Sequence, residues 1–327
     1  MKFNKIFNAF PPPKFLDIPF AGLSISDSAV RVVQFSKKRG KLSIQKHGEK
    51  TLSPGVVTSG QINNKDELVK VIQDLKKELN LDYVRVSLPE EKAYLFTAKI
   101  PVVGKKEVRS AIESKIEENV PVPPGELTFD YRLFYHKEKE HLDVVVSNLP
   151  ISVVQTYVDI IQNSNLSLLS LEIESQAIIR SVVHSNSLGT VLIINFGPEK
   201  VGLYVASFGV VRFTSTVQIK GNFTKDNMEN NQGLLLQELK KLNIYWHTLK
   251  ENIDKPDMQI TQIIVCGENF DESIVTYLSS HNSTPVVMGN VWVNAFDVNK
   301  EVPDISFNDS LRFAGAVGLA LPNDILI

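Results

Sequence analysis

The side chains able to do chemistry in this 327-residue chain are few and scattered. Its one cysteine, Cys266, has no partner for a disulfide and belongs to no Cys/His set for zinc, a usage that suits a reducing cytosol. It reads as a small apolar core residue. His136 and His141 flank the charged turn 137–140, where a solvated imidazole is expected in preference to a metal ligand. No Ser/His/Asp or Cys/His set falls at a spacing that suggests a nucleophile. With 35 basic and 37 acidic residues the formal net charge is −2, so no long-range field gathers nucleic acid or an anionic membrane. Nucleic acid is therefore excluded as a leading partner.

The elements around these residues follow from patterning. With 43% hydrophobic and 22% charged residues the chain is of ordinary globular composition, and its length suits two lobes. No stretch approaches the roughly 18 to 20 apolar residues needed to cross a bilayer. At the start, Phe3, Ile6, Phe7 and Phe10 recur with helical spacing opposite Lys2, Asn4, Lys5 and Asn8. This leader, 1–19, reads as an amphipathic segment followed by a proline spacer from Pro11 to Pro19. Two readings stand for it: a strap packed on its own domain, or a contact with a membrane surface or partner. It lacks the continuous apolar region of a secretory signal, so the mature chain is expected to keep it.

Strands are expected at 20–25, 29–35 and 41–47, then a helix at 66–80 and a strand at 83–88. A strand at 93–100, a helix at 105–120 and strands at 127–135 and 141–146 form a strand, helix, strand, strand unit. Its Val120-Pro121-Val122-Pro123-Pro124-Gly125 segment ends the helix and sets an extended approach to Leu127. A helix at 151–164 and a strand at 166–173 follow. The second half repeats the plan: strands at 190–196, 201–208 and 210–220, a helix at 234–249, a strand at 262–266, a helix at 271–279, a strand at 285–288 and a closing helix at 311–321. A duplication at a spacing of about 170 residues is how actin-like and sugar-kinase folds are built. The expected fold is α/β and actin-like (ribonuclease H-like), two-lobed, with an inserted strand-helix-strand-strand subdomain. The expected divisions are the leader at 1–19, a first subdomain at 20–89, the insertion at 90–173 and the second lobe at 174–327.

Four segments resemble the PilM family of type IV pilus assembly proteins, itself related to the cell-division protein FtsA. They are Gly22-Leu23-Ser24-Ile25-Ser26-Asp27-Ser28-Ala29-Val30-Arg31-Val32-Val33; Ile116-Glu117-Glu118-Asn119-Val120-Pro121-Val122-Pro123 leading to Phe129-Asp130-Tyr131; Ser170-Leu171-Glu172-Ile173-Glu174-Ser175; and Asn195-Phe196-Gly197 followed by Gly221-Asn222. The first and last occur across the actin-like superfamily. The second discriminates, because it lies in the subdomain that PilM and FtsA share.

The resemblance implies a nucleotide cleft between the lobes, and the residues there depart from it. An active member uses a glycine hairpin to bring backbone N–H groups to the phosphates and one Asp from each half to organise Mg2+. Ser24 and Asn195 stand at the two Asp positions, and Ser26 replaces the hairpin glycine. Asp27 is expected on the opposite strand face, or at the tip as a negative charge near phosphates, with Ser28 beside it. Gly197 is retained, but Val201 takes the place of a phosphate-donating Thr. The adenosine turn is reduced to Gly267-Glu268-Asn269, where the Glu268 side chain crowds the adenine. Only 223–233 remain of the helical wall that encloses adenosine in typical members. Arg31 decorates a hairpin face or touches phosphate, with the former expected. Glu174 is either a leftover connector carboxylate or a solvated strand end. ATP with Mg2+ is thus a doubtful cofactor, and no catalytic residue or metal ligand is assigned.

The function implied by the resemblance is that of a cytoplasmic scaffold at the inner face of the inner membrane, peripherally associated with it. It would hold the cytoplasmic tail of a PilN-like membrane protein and link the assembly ATPase machinery of the pilus to the envelope. The tail groove is expected between the first subdomain and the insertion, lined from 83–88, 105–120 and 127–134, with an extended tail adding to a sheet edge or lying against a helix. The competing reading is an active actin-like ATPase or a nucleotide-regulated switch.

Overall fold

A computed structural model describes residues 18–38, 41–134, 140–219, 223, 228–250, 252–253, 255–298, 300 and 302–322. The leader's expected helix, His136, Gly221, Asn222 and, within 223–233, residues 224–227 lie outside them.

The first lobe opens with β1 (Ala21–Ile25), β2 (Ala29–Lys38) and β3 (Lys41–Thr51), joined as antiparallel neighbours. A small hairpin, β4 (Val57–Thr58) and β5 (Gln61–Ile62), was not legible in the sequence. Helix α1 (Lys65–Leu79) starts where the Asn64 side chain accepts from the Glu67 backbone N–H at 3.1 Å, and it stops at the left-handed Asn80. Its Leu68, Ile72 and Leu75 are buried against the sheet. β6 (Tyr83–Leu88) then pairs parallel with β1.

The insertion comprises β7 (Tyr94–Pro101), α2 (Val108–Asn119), β8 (Leu127–Phe134) and β9 (His141–Pro150), with β9 central in a three-stranded sheet. It has its own core, in which Val108, Ile112 and Ile116 of α2 meet Ile100, Val144 and Val146. After it, α3 (Ile151–Asn163) packs Tyr157, Ile160 and Ile161 into the first lobe's core, and β10 (Ser167–Ile173) pairs parallel with β6. The sheet pairing therefore corrects the expected insertion, 90–173: it ends with β9, and α3 and β10 complete the first lobe. The misplacement arose because α3 and β10 continue the insertion in sequence and only long-range pairing returns them to β6.

Helix α4 (Glu174–Val182) leads to β11 (Thr190–Phe196), β12 (Lys200–Ser207) and β13 (Val210–Gln218), then α5 (Met228–Thr248), β14 (Ile260–Gly267), α6 (Glu272–His281) and β15 (Val286–Met288). The chain closes with α7 (Phe307–Ser310), a 3-10 turn at Leu311–Phe313 and α8 (Ala314–Ala320) in place of one continuous helix. The two large sheets have matching orders, β3-β2-β1-β6-β10 and β13-β12-β11-β14-β15. In each, three antiparallel strands are followed by two added in parallel, the duplicated actin-like plan expected from the sequence.

Helices α4 and α8 cross between the sheets. Their Ile178, Ile179, Val182, Ala316 and Val317 share one apolar core with Val33 and Phe35 of the first sheet and Ile193 and Tyr204 of the second. Among the described residues no helix is long and apolar enough to cross a membrane.

Candidate functional site

The cleft between the lobes is built from strand ends. Ser24 and Arg31 face each other across β1 and β2. In the turn joining these strands, the Ser26 hydroxyl accepts from the Ala29 N–H at 3.2 Å and donates to the Ala29 carbonyl at 3.1 Å. The Ser26 hydroxyl is thus held within the turn and by Arg31, whose Nη1 donates to it at 3.3 Å. In the second lobe, Gly197 N–H donates to the Lys200 carbonyl at 2.9 Å, a tight turn that brings Lys200 to the cleft. Alternation along β12 sends Val201 the other way, into the core against Phe196 and Leu203.

Lys200 makes the first of two bridges between lobes. Its ammonium is 3.0 Å from Asp27 and pairs closely with Glu91. Asp27 also accepts from the Ser59 and Gly60 N–H groups at 3.0 and 3.2 Å. It lines the same cavity as Ser24: β1 ends at Ile25, so of the two expected positions Asp27 takes the tip, where Lys200 pairs with it, and not the opposite face.

Glu268 makes the second bridge. Its carboxylate accepts from Ser28 Oγ and Arg31 Nη2, both at 2.6 Å. Arg31 also donates to Glu49 at 2.8 Å, and Arg312 holds the other Glu49 oxygen at 3.0 Å. Arg31 is 5% exposed, so it is no surface decoration of the hairpin. The chain reaches Glu268 through Gly267 at φ +102°, where a Cβ would lie 2.1 Å from the Phe196 carbonyl oxygen. Only glycine permits that approach.

Glu174, at the start of α4, faces the same cavity and is not a solvated strand end. Burial pushes its carboxyl up to about 8 against the opposing pull of Lys200, with Glu91, Glu90 and Asp27 adding to the rise. Asn195 meets the Cys266 thiol at 3.7 Å; Cys266 is fully buried, and burial raises its pKa. The cavity around Ser24, Ser26, Asp27, Glu174, Asn195, Gly197 and Lys200 has a volume of about 50 Å³, room for a few waters at most. Beyond Glu268 the cleft widens to about 890 Å³, rimmed by Glu49, Asp271, Glu272, Asp309 and Arg312. Among the described residues no group of three His, Cys, Asp or Glu side chains is placed to hold a metal ion. The sequence singled out Ser24, Ser26, Asp27, Ser28, Asn195, Gly197, Gly267 and Glu268, and the fold brings them to one cleft. It missed Lys200, Glu91, Glu49 and Arg312. Lys200 alone had a local signal, its place on the cleft side of the strand entered from Gly197.

A second concavity of about 280 Å³ lies between the insertion and the lobes. One wall is β8 from Thr128 to Arg132 with Val145 and Ser147 of β9; the opposite wall is Leu171–Ile173 of β10 with Val154 of α3. Among the described residues β8 pairs only with β9, and β10 only with β6. Glu90, Ser175 and Gln176 form the floor, and Val210 and Val211 of the second lobe close one side. The segments expected to line a tail groove meet this concavity only in part. Of 83–88 only Leu88 reaches the groove, and α2 covers the far face of the insertion sheet, because Val108, Ile112 and Ile116 spend its apolar stripe there. His141, beside Asp143 at 3.3 Å, is partly exposed.

The family model described as "Type IV pilus assembly protein PilM" matches residues 22–244. No curated protein matches the chain. Among solved structures, a "PilM-PilN type IV pilus biogenesis complex" superposes with a TM-score of 0.74 at 17% identity, covering 93% of this chain and 98% of that one. The ethanolamine utilization protein EutJ from Carboxydothermus hydrogenoformans gives 0.50 at 11%, covering 95% and 90%. The cytoplasmic domain of EpsL, an inner membrane component of the type II secretion system of Vibrio cholerae, gives 0.47 at 10%, covering 86% and 100%. At these identities the likeness to solved structures is one of fold. The family model spans more than half of the chain, including the insertion and the cleft turns at Ser26 and Gly197, and the chain belongs to the PilM family of type IV pilus assembly proteins.

Proposed function

We propose that this protein is a scaffold of the type IV pilus machinery, which holds the cytoplasmic tail of a PilN-like inner-membrane protein between β8 and β10. The observation that carries the reading is the groove itself, walled on both sides by the outer strands of two sheets and lined by Leu171, Ile173, Val145 and Val154. An extended segment gains main-chain hydrogen bonds from such an edge and side-chain specificity from the apolar walls. The family membership and the fold shared with a PilM–PilN complex support the partner class. On this reading the protein sits at the cytoplasmic face of the inner membrane and links the assembly ATPase machinery to the envelope.

The cleft on the same reading is a joint and not an ATPase site. Lys200, Asp27 and Glu91 fill the phosphate side, and Glu268, Ser28 and Arg31 close the adenosine turn. Both Asp positions that would order Mg2+ are neutral, as Ser24 and Asn195.

Titrating a synthetic tail peptide of the PilN-like protein into the full chain by calorimetry is expected to give a dissociation constant of tens of micromolar or tighter. Thr128→Arg, at an exposed position on the groove wall, is expected to weaken it at least tenfold with no change in thermal stability. No heat from the wild-type chain at about 50 micromolar sinks the assignment.

A further inference from the structure

Groove and cleft share two short stretches of chain. In the 3-10 turn Glu90–Lys92, Glu90 faces the groove, and its neighbour Glu91 pairs with Lys200 in the cleft. At the β10–α4 junction, Ile173 and Ser175 line the groove, and Glu174 between them lines the cleft. The stretches are tied to each other, because Glu90 accepts from the Ser175 backbone N–H at 3.2 Å and is itself 5% exposed. The groove's remaining side comes from the lobe that carries Lys200, through Val211, whose N–H donates to Gln176 at 3.2 Å. One ammonium thus crosses the cleft to hold the turn from which the groove floor hangs. The pair is well shielded, with Lys200 and Glu91 side chains 17% and 12% exposed, so solvent and salt weaken it little.

We infer that the Lys200 bridge and the tail groove form one coupled unit: the bridge holds the groove floor in its binding geometry, and an extended tail in the groove tightens the bridge. This rests on the scaffold reading for the identity of the tail; the link between bridge and floor does not. The coupling is reciprocal by linkage, so a residue that never touches the tail affects its affinity. In this molecule the bridge supplies from within the chain a contact across the cleft that needs no ligand.

Hydrogen–deuterium exchange on the full chain, with and without the tail peptide, tests both parts. Without peptide, Lys200→Met and the near-isosteric Glu91→Gln are expected to speed exchange at least tenfold at the Ser175 and Val211 amides. The amides of α1 should stay at wild-type rates, which reports an intact fold. With peptide, the same variants should bind at least tenfold more weakly, Lys200→Arg should recover most of the loss, and Lys241→Met, at an exposed pair, should behave as wild type. Unchanged exchange at the groove floor in both variants overturns the coupling, whatever the peptide does. Faster exchange together with a wild-type chain that fails to bind peptide supports the link between bridge and floor and overturns the tail assignment instead.

Discussion

Glu174 shows at the scale of one residue how the cleft departs from what its sequence suggests. Its carboxyl, pushed up to about 8 by burial, keeps its proton in the folded chain where the unfolded chain, near the ordinary 4.5, has lost it. Folding therefore takes up a proton between these values, and stability falls as pH rises through the window. Unfolding in urea at pH 5 and pH 8 should differ by a few kcal/mol from this group. Glu174→Gln, fixed in the neutral form, should flatten that difference and be more stable than wild type at pH 8. A variant with the wild-type pH slope would show that Lys200 holds Glu174 ionised. Nothing in the local sequence reveals this, since Ser170–Ser175 gives no hint that Lys200, Glu90, Glu91 and Asp27 converge on one carboxyl.

Element by element, the strands and amphipathic helices were legible because each shows one buried and one wet face: Leu68, Ile72 and Leu75 on α1, or Leu235, Leu239 and Leu242 on α5. Helix α4 was missed although Glu174, Gln176, Arg180 and Ser181 give it a polar side: nine residues are too few to be recognised by length, and Arg180 and Ser181 are buried, so the polar side is not a wet one. It packs on α8, whose seven residues are buried throughout. The crossing depends on Gly318, where a Cβ would lie 1.7 Å from the Ala177 carbonyl oxygen. Backbone cannot yield as a flexible side chain does, so Gly318→Ala should cost about 3 kcal/mol or more, at the upper end of overpacking. The checking measurement is the urea midpoint at constant slope. A loss under about 0.5 kcal/mol would mean that the two helices can slide apart.

For the molecule as a whole, the lobes are joined twice, by the apolar core around α4 and α8 and by the charge bridges across the cleft. Because those bridges are internal, the closed arrangement is expected without nucleotide. Millimolar Mg-ATP should leave the melting temperature of the wild-type chain unchanged within error, whereas a ligand present at 100 times its dissociation constant would add about 2.7 kcal/mol. A clear upward shift would favour the nucleotide-regulated switch. The sequence by itself determined the duplicated α/β plan, the strand ends that meet in the cleft and the family, because these rest on periodicity and on contiguous motifs. Tertiary structure alone decided that α3 and β10 return to the first sheet, that β8 and β10 flank a groove as outer strands of their sheets, and that Asp27 and Glu268 are engaged within the chain. The partners concerned, Lys200, Glu91 and Arg31 among them, lie up to 240 residues away along the chain, and no local pattern encodes a contact at that distance.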